Sequence, residues 1–304
     1  MGKLAFLFAG QGAQAPGMGE SLNALGGAAG EIFYLAESGR PGTLEDCFNG
    51  TAERLAQTDV TQPCVFTVDM AAAAALAEAG VQPDGVAGYS LGELAALCFA
   101  GAFGMAEGFA LVCRRGELMQ AASLKNAGAM AAVLKLPDDK VEALCAGFER
   151  FYPVNYNCDG QLTVAGTADG MPAFCAAVKE AGGMARQLPV AGAFHSPFMD
   201  EPAAAFAGVL AESALAAPTI PVYANLTGKP YAPPEKDLLA AQMKNPVRWS
   251  QSIKQMGADG FDTFIEVGPG KTLTGFVKRI LPGATLYNVQ DQESLKATLA
   301  ALKA

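Results

Sequence analysis

One run in the chain fits a nucleophile mounted on a sharp turn: Gly88-Tyr89-Ser90-Leu91-Gly92, a G-x-S-x-G pattern. The apolar stretch Val86-Ala87-Gly88 reads as a short strand before it, and Leu91 to Ala100 reads as a helix directly after it. A serine held between strand and helix stands clear of the backbone, and flanking glycines let the chain approach itself closely. Unpaired N–H groups at the start of the helix face developing negative charge. The same five residues also suit a helix-capping serine in a tight turn, so the pattern alone leaves two readings.

A nucleophilic serine needs a base, and the chain holds a single histidine, His195. It lies in Gly192-Ala193-Phe194-His195-Ser196-Pro197, a loop bounded by glycine and proline, where catalytic groups are often mounted. An unperturbed imidazole, with a pKa of about 6.5, is largely neutral at pH 7 and can take a hydroxyl proton. No acid stands in the usual hydrolase order of serine, acid, histidine, so the group orienting His195 is not visible.

Two glycine-rich loops resemble nucleotide sites without being them. Gly10-Gln11-Gly12-Ala13-Gln14-Ala15 follows an apolar run, but Pro16, Gly17 and Gly19 come where a cofactor-binding helix should begin. Gly268-Pro269-Gly270-Lys271-Thr272 resembles a phosphate loop, yet Ile265 occupies the place of its first glycine. Gln11 is better used facing Ser90 as an oxyanion donor, both lying at strand ends. Arg115, mid-helix among apolar residues, is either a solvated or ion-paired arginine or a buried two-pronged donor for a carboxylate.

Composition narrows the classes. With 304 residues, 51% hydrophobic, 17% charged and a net charge of −9, the chain is a folded, acidic protein. That charge makes general binding to nucleic acid or anionic membrane improbable. Residues 3–9 read as a buried first strand rather than a signal core, and the alanine-rich stretch 65–79 is too short to span a bilayer. A soluble, cytoplasmic protein is expected. Seven cysteines without C-x-x-C spacing read as reduced buried thiols, and no metal site or cofactor is expected.

The elements that must position these residues alternate. Strands at 3–9 and 86–88, with helices at 21–37, 62–79, 91–100 and 105–122, predict a parallel sheet covered on both faces. From 129 the order becomes strand (129–136), helix (138–148), strands (154–158 and 161–165), helix (169–181) and strand (184–190). That β-α-β-β-α-β order is ferredoxin-like. A helix at 200–214, a strand at 222–225 and a final strand at 263–267 follow. The predicted fold class is α/β, a hydrolase-like parallel-sheet core with an inserted ferredoxin-like subdomain. Residues 1–126 and 193–304 form the larger part and 127–192 the smaller.

Taken in order, these motifs resemble the malonyl-CoA:acyl carrier protein transacylases. The resemblance is carried by Gly10–Gln14, Gly88–Glu93, Arg115–Met119, Gly192–His195, Asn245–Trp249 and Glu266–Gly270, which span nearly the whole chain. It implies that Ser90 is acylated, that His195 is its base, and that Gln11 and Leu91 supply backbone N–H groups to the oxyanion. It implies Arg115 for the malonyl carboxylate, a carbonyl of the Asn-Pro-Val segment, with Arg248 as the position, for orienting His195, and Gln62, Met119, Asn157 and Phe194 for the acyl pocket. Phe194 and Leu91 are similar to those of malonyl-selective members. The implied substrate is malonyl-CoA, the implied partner an acyl carrier protein, serving fatty acid or polyketide synthesis, and the enzyme a monomer. One departure stands out: the family usually has histidine before the nucleophile, where this chain has Tyr89.

Two other classes fit the same residues. A serine esterase or thioesterase would use water as acceptor and have no need of Arg115. A docking module would keep Ser90 and His195 without chemistry. For an acidic chain to meet an acidic carrier, a local basic patch is expected, drawn from Arg186, Lys229, Lys244, Lys271, Lys278 and Arg279.

Overall fold

A computed structural model describes residues 2–190, 192–232 and 236–303. In chain order the strands are β1 (Lys3–Phe8), β2 (Gly85–Gly88), β3 (Gly128–Leu134), β4 (Tyr152–Cys158), β5 (Gln161–Thr167), β6 (Met184–Gln187), β7 (Val222–Tyr223), β8 (Phe261–Val267) and β9 (Thr285–Val289). Among the described residues they form two sheets. One is parallel, in the order β7-β2-β1-β8-β9; the other is antiparallel, in the order β4-β5-β3-β6.

The parallel sheet explains the unbroken apolar run of β1. As its central strand, β1 is buried on both faces, and Ala5, Phe6, Leu7 and Phe8 are inaccessible to solvent. Its register aligns Phe8 with Gly88 of β2 and Val267 of β8, so three strands end level. The loops after them, Ala9–Gly12, Tyr89–Ser90 and Gly268–Gly270, therefore share one edge of the sheet. In open α/β sheets that carboxyl edge is where ligands bind.

The antiparallel sheet is ferredoxin-like: numbering its own strands in sequence, the order is 2-3-1-4. Its outer strand β4 tolerates Pro153 because an edge strand can spare a ladder donor. That strand also meets the rest of the chain. Val247 donates to the Val154 carbonyl at 2.8 Å and accepts from Tyr156 at 2.9 Å, joining the Asn-Pro-Val segment to β4.

Several elements differ from the sequence reading. The expected helix over 21–37 is two, Glu20–Asn23 and Gly27–Gly39, because Gly26 and Gly27 both adopt positive φ. The helix expected from 62 begins at Thr58 and runs to Glu78, with Pro63 inside it. This helix is long and apolar enough to cross a membrane, but its surface is spent inside the protein, packed against the helices Gly27–Gly39 and Met105–Lys125. The strand expected at 222–225 stops at Tyr223, releasing Asn225 toward the nucleophile turn. After the strand at 263–267, expected to be the last, come the helix Thr272–Ile280, β9 and the helix Gln292–Leu302.

Candidate active site

Ser90 sits at the tip of β2 with φ of 57°, a left-handed backbone that a non-glycine residue adopts at a cost. The turn tolerates no bulk around it. A Cβ on Gly88 would run into the backbone of Gly92 and Glu93, and one on Gly92 into the carbonyls of Phe8 and Ala9. Asn225 holds the turn from the side: its Oδ1 accepts from the Ser90 N–H at 2.7 Å, and its Nδ2 donates to the Gly88 carbonyl at 2.6 Å. The buried Glu93 in turn accepts from the Asn225 N–H at 3.0 Å and from Tyr231.

His195, 105 residues away in sequence, closes on the same point. Its Nε2 lies 2.7 Å from Ser90 Oγ. Its backbone is also left-handed, with φ of 59°, and its N–H donates to the Met243 carbonyl at 3.1 Å. Nδ1 lies 2.8 Å from the Gln242 carbonyl, an acceptor, which places the ring proton on Nδ1. Nε2 is then the acceptor for the serine hydroxyl. The orienting carbonyl thus belongs to Gln242, and Arg248 does not fill that role. Arg248 opens the helix Trp249–Ala258 and turns its guanidinium to Gln251 at 3.4 Å, because pairing of 247 with β4 faces this segment toward the antiparallel sheet.

Arg115 is 1% exposed, on the inward stripe of the helix Met105–Lys125 with Leu111, Val112 and Met119. Its burial removes the reading of a solvated arginine. Its guanidinium donates to Gln62 Oε1 at 2.8 Å, Gln242 Oε1 at 2.9 Å and Ser90 Oγ at 3.2 Å, while Nε has no partner. Burial lowers the Arg115 pKa to about 10, still well above neutrality, so the site holds a permanent cation. Burial and that cation push His195 down to about 4, against the pull of the Gln242 and Asn245 backbone, so its imidazole is neutral around pH 7.

Gln242, which the sequence did not single out, ties the groups together. Besides its carbonyl on His195, its Nε2 donates to the Ser90 carbonyl at 2.7 Å and to Glu93 Oε2 at 3.1 Å. Three roles in one residue depend on long-range packing, and no local pattern in 236–244 announces them.

A cavity of about 90 Å³ opens over Ser90 and His195, walled by Gln11, Met119, Met130, Asn155, Leu188 and Phe194 among others. Gln11, Met119 and Phe194 are brought to the site as expected. Gln62 reaches it through Arg115 and through Met119 Sδ at 3.2 Å. Leu91, next to Ser90, begins the helix Gly92–Phe99. Asn157 is the exception: it faces a neighbouring cavity, and Asn155, two residues earlier on β4, lines the one at Ser90. The alternation of β4 offers both asparagines, and the strand's register shifts both before Asn155, between Pro153 and Asn155, and around Asn157, between Tyr156 and Cys158.

The fold and this serine–histidine site define a serine acyltransferase. Residues 5–296 match the family of acyl transferase domains. The malonyl CoA-acyl carrier protein transacylase of Synechocystis sp. is 37% identical over 97% of this chain and 99% of its own. The crystal structure of the enzyme of that name from Clostridium perfringens superposes with a TM-score of 0.94, at 36% identity, over 99% of this chain and 97% of that one. A malonyl-transacylase solved in complex with a type II polyketide synthase acyl-carrier protein gives 0.93, at 30% identity, over 98% and 99%. The chain belongs to the malonyl CoA-acyl carrier protein transacylase family.

Proposed function

We propose that this protein moves a malonyl group from malonyl-CoA to the pantetheine thiol of an acyl carrier protein through a malonyl ester on Ser90. The observation that carries the reading is the Arg115 guanidinium, buried beside the nucleophile with Nε free. A hydrolase of neutral esters has no use for a cation there, whereas an acyl group ending in a carboxylate does.

The steps follow from the geometry. The malonyl carboxylate takes the Arg115 fork, which sets the thioester carbon against Ser90 Oγ. Oγ attacks as its proton passes to His195 Nε2, and the Gln242 carbonyl steadies the imidazolium through Nδ1–H. In this reading the N–H groups of Leu91 and Gln11 stabilise the oxyanion, each such donor contributing about a hundred- to a thousandfold in rate. Collapse breaks the carbon–sulfur bond, and His195 returns the proton to the departing thiolate. The carrier's thiol then repeats the sequence in reverse. The carboxylate also offsets the charge of Arg115, so bound malonyl makes His195 a stronger base than in the empty site.

Intact-mass measurement after incubation with malonyl-CoA tests this. A malonyl adduct that persists in water, is discharged by carrier protein, and is absent from Ser90→Ala is the expected result. Rapid discharge by water alone would make the enzyme a hydrolase.

A further inference from the structure

We infer that Tyr89 and Asn157 form a strut between the nucleophile turn and the antiparallel sheet, fixing the bore of the passage through which the thioester arm reaches Ser90. The inference rests on the proposed reaction and adds a positioning pair to it. Tyr89 belongs to the parallel sheet's edge and Asn157 to β4, and the phenol donates to Asn157 Oδ1 at 2.6 Å. Asn157 is itself fixed, donating from Nδ2 to Thr163 Oγ1 at 3.1 Å on the neighbouring strand. The ring is wedged edge-on against Trp249, with centroids 5.5 Å apart, and lies over Gly10, where a Cβ would come 2.9 Å from Tyr89 Cδ1. A side chain held on three sides cannot swing aside to admit a ligand.

What the strut spans is a second cavity, of about 210 Å³, outside the one at Ser90. The two share Gln11, Tyr89, Thr163 and Leu188, so Tyr89 stands where one opens into the other. The outer cavity has polar groups on one side, Asn157, Gln161 and Thr163, apolar Leu273 and Phe276 in its wall, and Glu266, whose carboxylate is taken up by the Leu273 and Thr274 N–H groups. That mixture suits a thin, uncharged arm bearing amides, which both the donor and the acceptor of the proposed reaction carry. Burial holds the Tyr89 phenol protonated throughout the working range, so the strut persists.

The experiment compares wild type, Tyr89→Phe, Asn157→Ala and the double variant on malonyl-CoA and on malonyl-N-acetylcysteamine, a thioester lacking most of the arm. Loss of the strut should raise KM for malonyl-CoA about five- to tenfold, the scale of one neutral hydrogen bond. kcat/KM for the truncated thioester should stay within about twofold, a split that general loosening of the fold would not give. The double variant should lose no more than the worse single one, since both remove the same bond. Equal losses on the two thioesters, no loss on malonyl-CoA, or additive losses would each overturn the strut. A wild-type protein that takes malonyl from neither thioester would instead overturn the reaction beneath it.

Discussion

Arg115 and Ser90 are in direct contact: the guanidinium Nη2 lies 3.2 Å from the nucleophilic Oγ. This contact places the seat for an acyl group's far end within one short chain of the reacting carbon. It also decides which acyl groups fit, because the seat is charged, buried and shaped as a fork.

Replacing the fork should therefore change selectivity before it changes chemistry. Arg115→Met is expected to lower kcat/KM for malonyl-CoA by about ten- to a hundredfold, the range for hydrogen bonds to charged groups. Transfer of acetyl, which has no carboxylate to bind, should change far less. Competition between the two thioesters measures the ratio. A variant that still prefers malonyl as strongly as wild type does would remove Arg115 from the carboxylate role.

After burial, the same cation is the second cause that sets the pH profile. Only neutral imidazole accepts the serine proton, so activity falls as pH drops through the His195 pKa. With that pKa near 4, kcat/KM of the wild type should be flat from about pH 5.5 upward. In Arg115→Met the coulombic push is gone, so the acid limb should move to higher pH. It should remain below about 6.5, the ordinary value, because burial is the larger cause of the shift. Profiles on acetyl-CoA check this, since both enzymes handle that donor without the carboxylate. A limb that stays in place or moves downward would contradict the assignment.

What the sequence made legible was local. The strand–turn–helix around Ser90 follows from three apolar residues, two glycines and a helical run, and each is visible in a ten-residue window. The ferredoxin-like order was legible for the same reason, since each of its strands and helices is a short run of local pattern. Asn225 and Gln242 were not legible, because each reaches Ser90 across more than 130 residues and neither lies in a chemical pattern. The orienting carbonyl illustrates the limit. A backbone group has no residue signature, so resemblance pointed at the Asn-Pro-Val segment and to Arg248, a few residues beyond the carbonyl that Gln242 supplies.

Asn225 supplies a stability prediction. Its amide pairs with two buried backbone groups, the Ser90 N–H and the Gly88 carbonyl, in a turn whose backbone is already strained. Asn225→Ala orphans both, and each costs about 1–3 kcal/mol. Denaturant unfolding should show a loss of about 2–4 kcal/mol. Serine labelling by a small fluorophosphonate should slow as well, because the hydroxyl is no longer held against His195. A loss below about 1 kcal/mol would mean that water or a neighbour takes over the pairing.

Charge at the mouth of the outer cavity supplies the last prediction. Lys271 caps the helix Thr272–Ile280 next to Thr272, which lines the cavity with Leu273 and Phe276, and Arg279 lies one turn past Phe276 on the same side, whereas Lys278 falls on the opposite face of the helix. Arg279 reaches across to Gln161 at 2.8 Å, on the opposite side of the same cavity. Lys244, expected in the same patch, instead pairs with Asp200 at 2.9 Å beside a separate groove with Ala203 and Ala240. An acidic carrier delivering its arm here would meet two cations, Lys271 and Arg279, on an otherwise acidic protein. Reversing Lys271 and Arg279 to Glu should raise KM for the carrier about tenfold or more, with kcat/KM for malonyl-N-acetylcysteamine nearly unchanged. The wild-type KM for the carrier should climb with added salt, and that of the double variant should climb less, because screening has less attraction left to remove. Lys3→Glu, at the opposite end of β1 from the site, makes half that change in charge and should leave carrier KM within about twofold. Equal effects per unit of charge at Lys3 and at the helix would show that net charge, and not this patch, steers the encounter.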